Sequence, residues 1–433
     1  MDSMRDIGIG ILGFGTVGAG VADGLQRNAR VIGSRLGLLP VIRRIADVDL
    51  GTDRGVTVDP DILTQDAESV VRDPDVRVVV ELIGGTETAR DLVMQALELG
   101  KPVVTANKAL LAEYGREIFA LAEQRQVDLY FGASVGGGIP VIRALREGLI
   151  GNEIHGIQGI LNGTCNYILT RMEAEGLDFE QALDEAQAKG YAEADPALDI
   201  DGYDTAHKAV ILASLAYGFS VPMASVAVEG IRGISETDIR YAGDLGYRIK
   251  LLAVIKRVGS GVEVRVHPTL VPLETILASV DGVYNAVMVH GDLVGKTLYY
   301  GRGAGREPTA STVISDIAEV MKNLEGGFRR PLGALAQTAD PAQVMDIGDV
   351  ITRFYLRLSL LDRPGVLGSI ANSLGSHGIC IASVLQKKIS QGDYVPVVIV
   401  THQAREGELN AALAEIDGME IVGSPTVKFR IEE

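Results

Sequence analysis

Residues Ile7 to Leu12 form a short apolar run that ends in Gly13-Phe14-Gly15-Thr16-Val17-Gly18 and passes into an amphipathic stretch through Leu25. A strand, a glycine turn and a helix in that order leave few folds open. The first glycine permits a tight turn, the second lets backbone approach a pyrophosphate, and the third lets helix and strand pack closely. The helix N-terminus then faces the phosphates. A GxGxxG string alone marks only a tight turn. Between a strand and a helix it predicts a dinucleotide site built from Gly13, Phe14, Gly15, Thr16, Val17 and Gly18.

The following residues keep the same rhythm. Val76–Ile83 and Pro102–Thr105 read as buried strands, and Asp91–Leu99 and Leu110–Gln124 as helices, the βαβ alternation of a parallel sheet. Residues 1–135 are therefore predicted to be a Rossmann-type NAD(P)-binding domain. At the end of its second strand an acid would bond ribose hydroxyls and a base would favour a 2′-phosphate. Arg43, Arg44 and Asp47 offer both, so Arg44 and Asp47 are cofactor candidates and the choice between NAD and NADP stays open. Thr105-Ala106-Asn107-Lys108 closes another strand at the carboxyl edge, where open α/β sheets place ligands. Thr105 and Lys108 join the candidates, although an exposed lysine at a strand end is commonplace.

A chain of 433 residues needs two or three cores. Residues 136–330 mix helices such as Phe179–Lys189 with strand-like runs at Ile154–Leu161, Leu251–Val258 and Tyr284–His290, an α+β pattern. Residues 331–350, through Pro331–Gly348, lack a period and read as a linker. Residues 351–433 then give a βαββαβ order: an alternating strand through Phe354–Leu360, a turn at Asp362-Arg363-Pro364-Gly365 and a helix over Val366–Ser376. Strands at Ile379–Ile389 and Tyr394–Thr401, a helix over Gly407–Ile416 and a strand at Pro425–Ile431 complete it.

Composition narrows the partners. A net charge of −17 argues against a nucleic-acid surface and favours a small molecule. Two cysteines exclude a disulfide framework and suit a reducing, cytoplasmic setting, and the N-terminus lacks a signal-peptide pattern. The uncharged stretch Ala209–Val228 approaches membrane-spanning length, but Tyr217-Gly218-Phe219-Ser220-Val221-Pro222 interrupts it, so a buried helix is expected and no membrane. Six scattered histidines lack zinc spacing.

The densest chemistry lies in KGYAEADPALDIDGYDTAHK, residues 189–208. Tyr203–Tyr217 is predicted helical, so Asp204 and Lys208 share one face. They could form an ordinary surface pair, but this helix runs into uncharged sequence, and a lysine against apolar packing can trade protons near neutral pH. Glu193, Asp195 and Asp199 sit on a loop that suits an ammonium or hydroxyl group, with N-capping as the competing use and at least two acids expected to be structural.

These residues closely resemble the homoserine dehydrogenase family, in its longer form with a C-terminal ACT domain. Ala186, Gly190, Tyr191, Ala192, Asp195, Pro196, Asp199, Ile200, Gly202, Asp204 and Lys208 fit its signature A-x3-G-Y-A-x2-D-P-x2-D-I-x-G-x-D-x3-K. The resemblance implies interconversion of L-homoserine and L-aspartate 4-semialdehyde with a nicotinamide cofactor. It makes Lys208 the proton donor and acceptor, Lys108 its assistant, Asp204 an orienting group and Glu193 the amino-group ligand. Asp199, Gly163 and Thr164 would face the substrate, and Gly303 would return a glycine loop to the cofactor. A monovalent cation, Na+ or K+, would sit on backbone oxygens of Gly132, Val135, Gly137 and Ile139, with Gly132 standing where the family usually has glutamate. The ACT resemblance implies threonine as an effector, and a homodimer or homotetramer. Cys165 reads as a packed residue. The rivals are a non-catalytic sensor of nucleotide and amino acid, and a dehydrogenase acting on an amine.

Overall fold

The computed structural model describes residues 5–327, 343–386 and 394–432. Six parallel strands realise the N-terminal alternation: β1 (Arg5–Leu12), β2 (Leu38–Ala46), β3 (Leu63–Thr64), β4 (Val78–Glu81), β5 (Val103–Thr105) and β6 (Leu129–Tyr130). Helices α1 (Thr16–Leu36), α2 (Ala67–Arg72), α3 (Glu87–Glu98) and α4 (Lys108–Arg125) alternate with them. The sheet order is β3-β2-β1-β4-β5-β6, which reverses direction between β1 and β4. That switch point opens a crevice at the carboxyl ends of the strands.

The apolar runs form strands because both faces of the sheet are covered. Ile7, Ile9, Ile11, Val78, Val80 and Val104 are fully buried and pack with Ala22 of α1. A distant helix, Arg306–Gly326, completes this core with Val313, Ile317, Val320 and Met321. The glycine turn is forced by space as well as by angle. Gly13 has φ 96°, and a Cβ there would lie 2.5 Å from the Leu82 carbonyl oxygen; one on Gly18 would lie 2.0 Å from the Gly13 oxygen. Side chains are excluded from both positions, so α1 can start directly against β1.

Contacts divide the chain into two units, Met1–Ile157 with His207–Met223 and Tyr284–Ala342, and Gln158–Ala206 with Ala224–Val283 and Gln343–Glu433. This partition cuts the chain differently from boundaries drawn at 135 and 350. In the second unit the antiparallel strands Tyr247–Val258 and Gly261–Pro272 pair along their whole length. The free edge of Gly261–Pro272 is then tiled by three short parallel partners in succession. Gln343–Val344 meets Gly261 and Val262, Ala227–Val228 meets Arg265 and Val266, and the final strand Val427–Ile431 meets Thr269 and Leu270.

The C-terminal βαββαβ order is present. Its strands lie in the order Val427–Ile431, Ile351–Leu361, Tyr394–Thr401, Ile381–Gln386. Alternating Phe354, Leu356, Leu358 and Leu360 bury one face against Ile370 and Leu374 of helix Val366–Ser376 and Leu409, Ala412 and Ile416 of helix Glu406–Asp417.

Three expectations need amendment. The strand Gly261–Pro272 was not foreseen, because Glu263, Arg265, His267 and Pro268 break its apolar pattern. The expected linker is structured where it can be seen, since Gln343–Val344 is a strand; residues 331–342 lie outside the described residues. The strand expected over Ile379–Ile389 spans Ile381–Gln386, and 387–389 lie outside the described residues. The uncharged stretch behaves as expected: helix Tyr203–Tyr217 stops at Gly218, whose φ is 72°. No helix among the described residues is long and apolar enough to cross a membrane.

Candidate active site

In the first unit the crevice is built around the glycine turn. A Cβ on Gly15 would meet nothing within 4 Å, which leaves its backbone open to a close-lying group at the start of α1. The Phe14 N–H donates to Asp47 Oδ2 at 2.5 Å, so the acid ending β2 is tied directly to the turn. Asp47 Oδ1 also accepts from the Asp49 N–H. Arg44 is engaged elsewhere, with Asp73 at 3.1 Å and the Asp61 carbonyl at 3.0 Å. The arginine beside Asp47 is Arg54, 3.5 Å away, with its guanidinium 5.7 Å from the centre of the Phe14 ring. Arg54 in turn accepts, at its carbonyl, a hydrogen bond from Arg306 at the start of the helix Arg306–Gly326.

Across the switch point, the acid ending β4 organises a second cluster. Glu81 is fully buried, accepts from the Thr105 hydroxyl and from the Ile83 N–H, and has its carboxyl pushed up to about 7 by burial, against the pull of those hydrogen bonds. Thr105 Oγ1 accepts from the Asn107 N–H, and the Asn107 amide ties down the carbonyls of Ile83 at 3.2 Å and Gly85 at 2.7 Å. Asn107 Oδ1 caps α4 through the Leu110 N–H, which fixes Lys108 as the first residue of that helix.

The loop Gly132–Ile139 lies against the second glycine loop. A Cβ on Gly137 would come within 2.5 Å of the Gly303 oxygen, and the Gly138 N–H donates to the Arg302 carbonyl. Gly132, Val135, Gly137 and Ile139 are all buried. The space that a side chain at Gly132 would use is filled from another element: Asp316 accepts from the Gly132 N–H at 2.8 Å, and its carboxylate oxygens lie 2.9 and 3.0 Å from an ideal Cβ at that position. Burial pushes Asp316 up to about 7, against that hydrogen bond and the nearby Arg146 and Arg143.

In the second unit the acidic stretch converges on Asn162, which caps the helix Gly163–Glu175 through the Cys165 N–H. The Asn162 amide nitrogen donates to Asp199 at 2.7 Å and to Asp204 at 2.9 Å, so one amide brackets two carboxylates. Thr164 donates to the Tyr191 carbonyl, and the Cys165 thiol to the Asp199 carbonyl. Asp195 and Asp201 are structural, one accepting from the Ala197 N–H and the other paired with Arg232. Glu193 is exposed, with its carbonyl held by Gln187. Helix Tyr203–Tyr217, along which the chain passes from the second unit to the first at His207, carries Asp204 and Lys208 one turn apart, only 5 % and 8 % exposed, so an ordinary surface pair is excluded.

The resemblance places Asn162 with Gly163 and Thr164 in the substrate-side loop, but its two acidic partners lie far along the chain. Two residues escaped the sequence reading. Glu81 was visible as the one acid in an apolar run. Nothing in the sequence singled out Arg54, whose loop reaches the glycine turn only in three dimensions.

Comparison with known proteins points one way. A family model described as "Homoserine dehydrogenase" matches residues 140–318, and one described as "Homoserine dehydrogenase, NAD binding domain" matches residues 13–132. The homoserine dehydrogenase of Pseudomonas aeruginosa is 45% identical over 436 residues, covering 99% of this chain and 100% of its own. A homoserine dehydrogenase crystal structure from Thiobacillus denitrificans superposes with a TM-score of 0.94 at 45% identity, covering 100% of both chains. A hyperthermophilic archaeal homoserine dehydrogenase in complex with NADPH has a TM-score of 0.62 at 28% identity, covering 73% of this chain and 98% of its own.

Proposed function

The chain belongs to the homoserine dehydrogenase family of NAD(P)-binding oxidoreductases, and from that premise we propose that Lys208 exchanges the proton of the substrate oxygen as L-homoserine and L-aspartate 4-semialdehyde interconvert. The bound nicotinamide supplies the hydride chemistry. A hydroxyl loses its proton as its carbon loses hydride, and a positioned amine can take it. The observation that carries the reading is the bracket of Asp199 and Asp204 by Asn162, one helical turn before a buried Lys208. Asp204 orients the lysine or the substrate, Asp199 and Glu193 receive the ammonium group, and Gly163 and Thr164 form the loop behind it. Lys108, set at the start of α4, assists. The direct test is Lys208→Ala. It should lower kcat by on the order of a thousandfold or more, with binding of NADPH, followed by fluorescence, near the parent value. A variant that keeps substantial turnover sinks the assignment.

The same reading puts the cofactor phosphates at Gly13, Gly15, Thr16 and Gly18, with Phe14 and Val17 lining the turn and Gly303 closing it. Because Asp47 is tied to the backbone N–H groups of Phe14 and Asp49, Arg54 beside it is the cation nearest to where a ribose phosphate would sit, which favours NADP. Arg54→Ala should then cut kcat/KM with NADPH about tenfold while sparing NADH, in keeping with one lost charge-assisted contact. Equal losses with both cofactors would exclude that role. Carbonyl oxygens suit a hard cation, and Gly132, Val135, Gly137 and Ile139 offer them on a loop anchored by Asp316. The C-terminal βαββαβ fold is read as an ACT domain that gives threonine feedback inhibition, tested by activity against added threonine; the homo-oligomer is read by light scattering.

A further inference from the structure

We propose that Arg430, on the last strand, is a positioning residue for the substrate-side acids: it clamps Glu229 and thereby holds the segment on which the Asp199 and Asp204 loop rests. The inference rests on the proposed function for the identity of the substrate, but the clamp itself is a matter of packing.

Arg430 is 1 % exposed and lies between two carboxylates. It donates to Glu229 through both terminal nitrogens, at 3.0 and 2.7 Å, and to Glu406 through Nε at 2.7 Å with a second contact from Nη2. Such forked guanidinium contacts fix direction as well as distance. Glu406 is itself 1 % exposed and immobilised by Lys428, so Arg430 is anchored on that side. Glu229 is the movable partner. Its residue follows the strand Ala227–Val228, and its N–H donates to the Val266 carbonyl at 2.8 Å. The two segments meet because both tile the same edge of Gly261–Pro272.

The segment after Glu229 lies directly on the acidic loop. A Cβ on Gly230 would fall 2.2 Å from the Ile200 oxygen and 2.5 Å from the Asp201 Cα. The Ile231 N–H donates to the Ile200 carbonyl at 2.8 Å, and Arg232 pairs with Asp201. A Cβ on Gly202 would in turn meet the Val228 side chain at 3.1 Å. Residues 200–202 are the link between Asp199 and Asp204. A continuous chain of contacts therefore runs from Arg430 through Glu229, Gly230 and Ile231 to the two carboxylates bracketed by Asn162. Arg430 touches no part of that bracket and acts through the Glu229 side chain and the backbone of residues 229–231.

Three variants test this in the full-length protein: Arg430→Met, Glu229→Gln and Gly230→Ala. Arg430→Met leaves the buried Glu406 with Lys428 alone and can fail to fold. Glu229 is half-exposed, so Glu229→Gln leaves Arg430 paired with Glu406 and should fold normally. Expected for Glu229→Gln and Gly230→Ala is a rise in KM for homoserine on the order of tenfold, with KM for the nicotinamide cofactor within twofold of the parent. Amide hydrogen exchange at Asp201, Gly202 and Ile231 should accelerate in the same variants. Unchanged homoserine KM and unchanged exchange in folded Glu229→Gln and Gly230→Ala overturn the clamp, as does an equal loss of cofactor affinity. If the parent protein fails to oxidise homoserine, the proposed function falls, and the exchange rates alone still decide the clamp.

Discussion

Buried carboxylates behave in opposite ways in the two units. In the first, Glu81 and Asp316 are desolvated and met mainly by hydroxyl and amide donors, and burial pushes both up to about 7. In the second, burial also raises Glu406 and Glu432, but arginine and lysine outweigh it and hold both below their ordinary value. Glu406 faces Arg430 and Lys428, and Glu432 faces Arg265 and Lys256. The difference teaches that burial alone does not fix the charge of an acid; the company it keeps does. The first unit keeps near-neutral acids beside its crevice, whereas the second spends paired ions on joining its C-terminal strand to the strand Gly261–Pro272.

The sharpest way to break the contrast is to remove a cation from the second unit. Arg265 is 1 % exposed and bridges Glu263 and Glu432. Arg265→Met should cost about 3 to 5 kcal/mol, because the buried Glu263 loses this partner and the buried Glu432 is left with Lys256. Denaturant unfolding checks it, and a variant of parental stability would mean that the ion pairs there are inert.

Next comes the pH response. Glu81 has a folded pKa above its ordinary value of 4.5, so the native state holds the proton more tightly than the unfolded chain. Its stabilising contribution is present below 4.5 and is lost as pH rises to about 7, amounting to about 3 kcal/mol. Glu81→Gln should flatten that decline in denaturation midpoints measured across the range. A decline of unchanged slope would refute the neutral, desolvated glutamate. Glu406 and Glu432 have the reverse sign: their contribution is present above the ordinary value and is lost as pH falls below it. Protection factors in the strand Val427–Ile431, corrected for the intrinsic exchange rate, should therefore fall on acidification, and constant protection down to pH 3 would refute it. The smallest effect is expected at the exposed helix pair Glu68 and Arg72, whose side chains are about three-fifths exposed. Arg72→Ala should leave the midpoint unchanged within error, since such pairs contribute little.

Much of the nucleotide half was legible. A six-residue apolar run and three glycines at fixed spacing produced β1, the turn and α1, because backbone geometry at Gly13 and Gly18 is local and leaves no room for side chains. The helix carrying Asp204 and Lys208 was read correctly over Tyr203–Tyr217, since its period and its glycine stop are also local. Of the acids in residues 189–208, the sequence could say that some would be structural, but not which. Asp195 went to the Ala197 N–H two residues on, and Asp201 to Arg232, a partner brought from elsewhere in the chain. Arg44 looked as suitable as any arginine for the ribose edge, yet Asp73 holds it and Arg54 takes the place beside Asp47.

By itself, the sequence determined the opening strand and helix, the glycine turn, the C-terminal βαββαβ order, and the helical face shared by Asp204 and Lys208, because each depends on patterns local to its own segment. Only the tertiary structure decided that Gly261–Pro272 is a strand. Its charged Glu263 and Arg265 can be buried only when Glu432, brought from the far end of the chain, completes their pairing. Only the tertiary structure, too, put Asn162 between Asp199 and Asp204 and Asp316 into the space left by Gly132. In each case a polar group leaves water, and the partner that makes its burial tolerable lies too far along the chain for any local pattern to reveal.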